Sequence, residues 1–183
     1  MQNRSTVVMV RAAFLGGLGG LLMLFEFPLL PAADFLKYDA GDVPALIGGF
    51  MMGPWVGLLI QAIKTAIFAI SGKNVTGIIG LAASFAAGAA LVVPASLLFH
   101  SLGRNMRAAV IGMVAATFSL TATMVALNYW VFFPLWGITS GLGALLVQVA
   151  IPFNLLKGLL TSVITLVLWA RLKTWAVSKV ATT

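Results

Sequence analysis

Cysteine is absent from this 183-residue chain, which removes disulfides, zinc–thiolate centres and iron–sulfur clusters together. Histidine occurs once, as His100 beside Arg104 at the end of an apolar run, and reads as an interfacial residue rather than a ligand. Charge is scarce as well: charged residues make up 8% of the chain against 61% hydrophobic. A globule of this size must wet its outer face and cannot hide so much apolar surface, so lipid has to be the solvent for most of the exterior. The sequence G-x-x-x-x-G-K-[ST] does not occur, which excludes nucleotide binding in the P-loop manner. There is no nucleophile–base pair and no carboxylate pair within an apolar run, so neither an enzyme nor a resident cofactor is expected. The net charge of +7 is spread over the ends of apolar runs rather than gathered on one face, which argues against nucleic acid as a partner.

What the chain does contain is a single acidic stretch. Glu26, Asp34, Asp39 and Asp42 are its only four carboxylates, and Lys37 stands among them. Pro28, Pro31 and Pro44 punctuate the same region. Apolar runs of membrane length flank it on both sides, so this segment reads as an external lid over a cavity.

The runs themselves define an all-α integral membrane fold, a single domain over residues 1–183 with no linker dividing it. Val7 to Phe25 has the roughly 20 residues a spanning helix needs, and it reads as a retained helix rather than a cleaved signal. Ala12, Gly16 and Gly20 recur every four residues, as do Ala13 and Gly17, a spacing that lets another helix approach closely. That neighbour is either within the chain or a partner. Val43 to Ile70 is interrupted at Gly53-Pro54, where proline must break or kink a helix.

Charge decides between those two readings. A short second helix followed by a third gives six transmembrane helices with both termini cytoplasmic. Arg4, Arg11, Arg104, Arg107, Arg171, Lys173 and Lys179 then share the inner side, and only Lys37 and Lys73 stay outside, as the positive-inside rule requires. One kinked helix would put most of these charges outside. The remaining spans are Thr76 to Phe99, Ala108 to about Trp130, and a sixth capped by Thr139 or Ser140 and running to about Leu172. Phe132 to Gly137 reads as an external turn, and Pro94 as a kink in the fourth span.

Ionisable groups within a span are costly, about 2.5–3.5 kcal/mol each, and usually serve a purpose. Lys64 either snorkels to the interface or points into a cavity. Lys157 lies three residues after Asn154, so both share one helix face, and Pro152 frees a carbonyl one turn back. That face is either a polar knot between helices or a binding face for a polar ligand. Asn128, beside Tyr129 and Trp130 near the lid end of the fifth span, adds a donor–acceptor pair that an aromatic belt does not require.

Phe35-Leu36-Lys37-Tyr38-Asp39, Asp42-Val43-Pro44-Ala45-Leu46-Ile47-Gly48 and Gly53-Pro54, followed by Leu127-Asn128-Tyr129 and Pro152-Phe153-Asn154-Leu155-Leu156-Lys157-Gly158, occur here in that order. In this the chain resembles the riboflavin-specific substrate-binding (S) components of energy-coupling factor transporters, over essentially its whole length. The resemblance implies a multi-pass protein of a prokaryotic cell membrane that binds riboflavin near the external face. It also implies a transmembrane coupling (T) component and two cytoplasmic ATPases as partners, so that ATP is hydrolysed elsewhere. It carries polar ligand contacts onto Asn128, Asn154 and Lys157, and places Leu36, Lys37, Tyr38 and Asp39 in the lid. The binding set so marked, with Lys64 and Tyr129 added, sits opposite a partner-facing set of Ala12, Ala13, Gly16 and Gly17, where glycine stands in places the family usually fills with alanine. Tyr38, Tyr129, Trp130 and Trp136 are available to stack on a flat ring. The rival readings are the same architecture with thiamine, folate, biotin or pyridoxine, a stand-alone secondary transporter or channel, and a membrane partner without a ligand.

Overall fold

The computed structural model describes residues 4–30 and 36–180, with the side chains of Arg4 and of residues 173–180 aside. Asp34, Phe35 and Pro31 of the lid therefore lie outside the described residues. Helix α1 (Arg4–Met23) leads into a two-stranded antiparallel hairpin, β1 (Phe27–Pro28) and β2 (Lys37–Tyr38), in which Phe27 pairs with Tyr38. Then follow α2 (Asp42–Met52), α3 (Pro54–Ile70), α4 (Gly77–Ser101), α5 (Met106–Leu135) and α6 (Leu142–Leu172, within a helical run ending at Val180). Four of these, α1, α4, α5 and α6, are long and apolar enough to cross a membrane, while α2 and α3 are shorter apolar helices.

The chain breaks between α2 and α3 as Gly53-Pro54 dictates. Gly53 takes φ 104°, a conformation only glycine adopts without strain, and Pro54 opens α3 where its missing N–H is no loss. Asp42 places a negative charge in the first turn of α2, where the helix dipole favours it. Asn105 caps α5 by accepting the Ala108 N–H at 2.9 Å.

Two expectations are corrected. Phe132 to Leu135 is not a turn: α5 continues through it, after a π-helical turn over Asn128–Phe132 in which the Phe133 N–H reaches back to the Asn128 carbonyl. Neither Thr139 nor Ser140 caps α6, whose N-cap is Gly141 at φ 69° with no side-chain bond. The left-handed turn at glycine leaves no cap for a hydroxyl to make.

Small residues set the helix crossings. A Cβ on Gly16 would lie 2.5 Å from Ile63, one on Gly20 would lie 2.7 Å from Ile67, and one on Gly112 would lie 2.7 Å from the Ala95 carbonyl. Gly16 and Gly20 therefore form the seam between α1 and α3, and Ala12, buried one turn before Gly16, and Gly16 itself are not on a free partner-facing surface. Ala13 is exposed, and a Cβ on Gly17 meets nothing within 4 Å. At the end of the bundle away from the hairpin, Phe50 stacks on Phe99 at 4.5 Å, and Trp169 of α6 closes edge-on against both. There His100 Nε2 meets the Gly49 carbonyl at 3.0 Å and ties α4 to α2.

Candidate functional site

At the hairpin end, two lysines from the apolar helices α3 and α6 meet two carboxylates from the junction of β2 and α2. Lys64 of α3, fully buried, reaches Asp42 Oδ1 at 2.5 Å and Asp39 Oδ1 at 2.7 Å. Lys157 of α6 faces the other oxygens of the same two acids, Asp42 Oδ2 at 3.0 Å and Asp39 Oδ2 at 3.5 Å. Two ammoniums and two carboxylates thus alternate around a neutral ring, the arrangement that makes buried charge tolerable. Asp39 also accepts the Gly41 N–H at 2.8 Å, which fixes the turn from β2 into α2. The ring can close because α1 comes so near: a Cβ on Gly41 would strike the Gly19 carbonyl.

The choice left open for Lys64 is thereby decided. It neither snorkels nor lines the cavity but stands behind it, paired. Lys157 is part of the ionic knot and also lines the cavity. Asp42, seen from sequence only as one of the lid acids, is the fully buried centre of the ring.

Above the ring lies a cavity of about 90 Å³. Asn128, Asn154 and Lys157 converge on it from α5 and α6, with Leu36, Lys37 and Asp39 from the lid and Met23, Trp136 and Phe153 as apolar and aromatic wall. Asn128 opens the π turn of α5, and such turns recur at functional sites. Asn128 is 1% exposed, and its Nδ2 has no hydrogen-bond partner among the described residues. A second π turn, Leu146–Ala150, precedes Pro152 in α6. Asn154 Nδ2 donates to the Ala150 carbonyl there at 2.8 Å, which orients the amide. A buried donor without a partner on the cavity wall is free to meet a ligand there.

Not every marked residue joins this group. Tyr129 is 43% exposed, packs edge-on against Trp130 and is not part of the cavity wall. Of the four aromatics available for stacking, Trp136 alone lines the cavity. Tyr38 is buried beside the ring, packed edge-on against Phe27, and burial pushes its phenol above the ordinary range. Glu26 and Lys37 pair at 2.8 Å at the rim, partly exposed. The binding set marked from sequence left out Asp42, Glu26, Met23 and Phe153; for Asp42 the usable signal was charge balance, since two intramembrane lysines need two partners.

Comparison with known proteins bears on the chain as a whole. The family described as the ECF transporter substrate-specific component matches residues 7–169. The riboflavin transporter FmnP of Bacillus subtilis is 30% identical over 176 residues, covering 91% of this chain and 92% of the relative. A riboflavin transporter RibU of Streptococcus thermophilus is 34% identical, covering 88% and 80%. The solved S component of a bacterial ECF transporter superposes with a TM-score of 0.82 at 27% identity, over 94% of this chain and 99% of that one. With a neutralised lysine–carboxylate ring beneath a lidded polar cavity, an apolar multi-pass architecture and these matches over nearly its full length, the chain belongs to the family of substrate-specific components of ECF transporters.

Proposed function

We propose that the chain is the riboflavin-capturing subunit of an ATP-driven vitamin importer. The observation that carries this reading is the convergence of Asn128, Asn154 and Lys157 on one lidded cavity, with no partner for the Asn128 Nδ2 among the described residues. An isoalloxazine ring is flat and apolar, with donors and acceptors on one edge. A site for it needs a few fixed polar groups and an apolar wall with an aromatic face. Asn128 can give a donor and an acceptor to that edge, and Asn154 and Lys157 supply further polar contacts. Trp136 and Phe153 supply the wall. The relatives named as riboflavin transporters support the choice of vitamin.

At about 90 Å³ the cavity is smaller than the roughly 300–1,000 Å³ typical of sites for ligands of this size. Entry therefore requires the outer part of the lid, at Leu36 and Lys37, to lift while Asp39 stays in the ring. The chain crosses the membrane six times as one substrate-binding unit, α2 and α3 forming two of the crossings. Both termini lie in the cytoplasm, because Arg11, Arg104, Arg107 and Arg171 then all fall on the inner side. Energy comes from a transmembrane coupling component and two cytoplasmic ATPases, for which the outward stripe of Ala13 and Gly17 on α1 is the docking face. A channel fits less well, since Phe50, Phe99 and Trp169 fill the bundle beneath the ionic ring.

The test is a titration of the detergent-purified protein with riboflavin, followed by tryptophan fluorescence. Trp136 in the cavity wall makes saturable one-to-one quenching the expected result. A flat response to riboflavin, with saturation by thiamine, folate, biotin or pyridoxine instead, would keep the architecture and replace the ligand.

A further inference from the structure

The rim of the cavity carries an ion pair that the ligand contacts above do not use. Glu26, the residue before β1, and Lys37 of β2 face each other across the hairpin, with Lys37 Nζ 2.8 Å from Glu26 Oε1. Both line the cavity, and their side chains are 21% and 29% exposed. Among the described lining residues the only other charges are Asp39 and Lys157, and these belong to the closed ring with Asp42 and Lys64. Each ammonium among the described lining residues is therefore already matched to a carboxylate, and the charges of those residues sum to zero.

From this we infer that the site selects the uncharged, non-phosphorylated form of its ligand, and that Glu26 is the residue that enforces the choice. The inference rests on the riboflavin reading and deepens it. A phosphate monoester carries close to two negative charges at neutral pH, and burying them without a free cation is strongly unfavourable. The ring cannot supply that cation, because taking Lys157 from its acids would strand two buried carboxylates. Lys37 is the partly exposed ammonium on the lining that could meet a phosphate, and Glu26 both occupies it and repels the anion. Like charges placed together across a binding surface are a common means of rejecting the wrong partner. A phosphate presented to this rim would thus meet a carboxylate where it needs an ammonium.

The test compares riboflavin with riboflavin 5′-phosphate, both titrated by tryptophan quenching into the full chain, as wild type, Glu26→Gln and the double variant Glu26→Gln/Lys37→Gln. Wild type is expected to bind riboflavin the more tightly. Glu26→Gln should shift the ratio of the two dissociation constants about tenfold toward the phosphate ester. That gain should shrink in high salt and vanish in the double variant, because it requires the freed ammonium. Equal affinities in wild type, an unchanged ratio in Glu26→Gln, or a gain that persists without Lys37 would each overturn the inference while leaving the riboflavin reading intact. Wild type that fails to bind riboflavin overturns both.

Discussion

Replacing Asp42 by asparagine is the sharpest probe of the ionic ring. The carboxylate is fully buried, with Lys64 at 2.5 Å and Lys157 at 3.0 Å. At an effective dielectric near 20, ion pairs at those separations attract by about 7 and 6 kcal/mol. Much of that attraction offsets the desolvation of the ions, and loss of one acid also relieves its repulsion of Asp39. What remains is a buried ring with one ammonium too many, and breaking a buried pair in this way costs about 3–5 kcal/mol. For a chain of this size that corresponds to a fall of roughly 10 °C in the unfolding midpoint, measurable by thermal denaturation in detergent. The decisive comparison is Asp42→Asn/Lys64→Met. This variant restores neutrality by removing one charge of each sign, so it should be more stable than Asp42→Asn alone although it has lost more contacts. Additive losses in the double variant, or a midpoint in Asp42→Asn within a degree of wild type, would refute the claim that charge balance holds this end of the bundle together.

Three further outcomes follow from the geometry. Asn128→Leu should leave the unfolding midpoint level or raise it, since the buried Nδ2 has no partner to lose, while weakening riboflavin by about 10–100-fold in the quenching titration. Equal affinity would detach Asn128 from the site. Gly16→Leu should destabilise the protein by about 2 kcal/mol or more by forcing α1 away from Ile63, whereas Gly17→Leu, with open space beside it, should keep the wild-type midpoint and lose co-purification with the coupling component. Identical behaviour of the two variants would contradict the division of α1 into an inner seam and an outer face. Gly53→Ala should cost about 1–3 kcal/mol through backbone strain alone, because φ 104° is hostile to any Cβ although nothing crowds the site. Denaturation of that variant at the wild-type midpoint would mean that the α2–α3 break has a softer geometry.

Much of the architecture was legible because its causes are local. Apolar runs and a proline after a glycine act within a few residues of themselves, so the four long apolar helices, the break at Gly53-Pro54 and the polar face of Asn154 and Lys157 could be read directly. The end of α5 was misread because Phe132 to Gly137, with Pro134 and Gly137 among aromatics, carries the local grammar of a turn. A π turn, which Asn128 begins, has no comparable signature. The stripes on α1 were visible as spacing, but spacing is the same on both faces of a helix. Only packing against Ile63 and Ile67 assigned Gly16 and Gly20 to the interior, with Ala12 buried on the same face, and left Ala13 and Gly17 outside.

The sequence by itself determined that this is a membrane protein with its carboxylates confined to one lid and two lysines that had to be explained. Only the tertiary structure decided that these were parts of one object. Lys64 meets Asp42 across 22 positions of sequence, and Lys157 arrives from the last helix. Such pairings follow from how the helices cross rather than from any run of neighbouring residues. In a medium that cannot solvate charge, the crossing that brings opposite charges together is the one that survives.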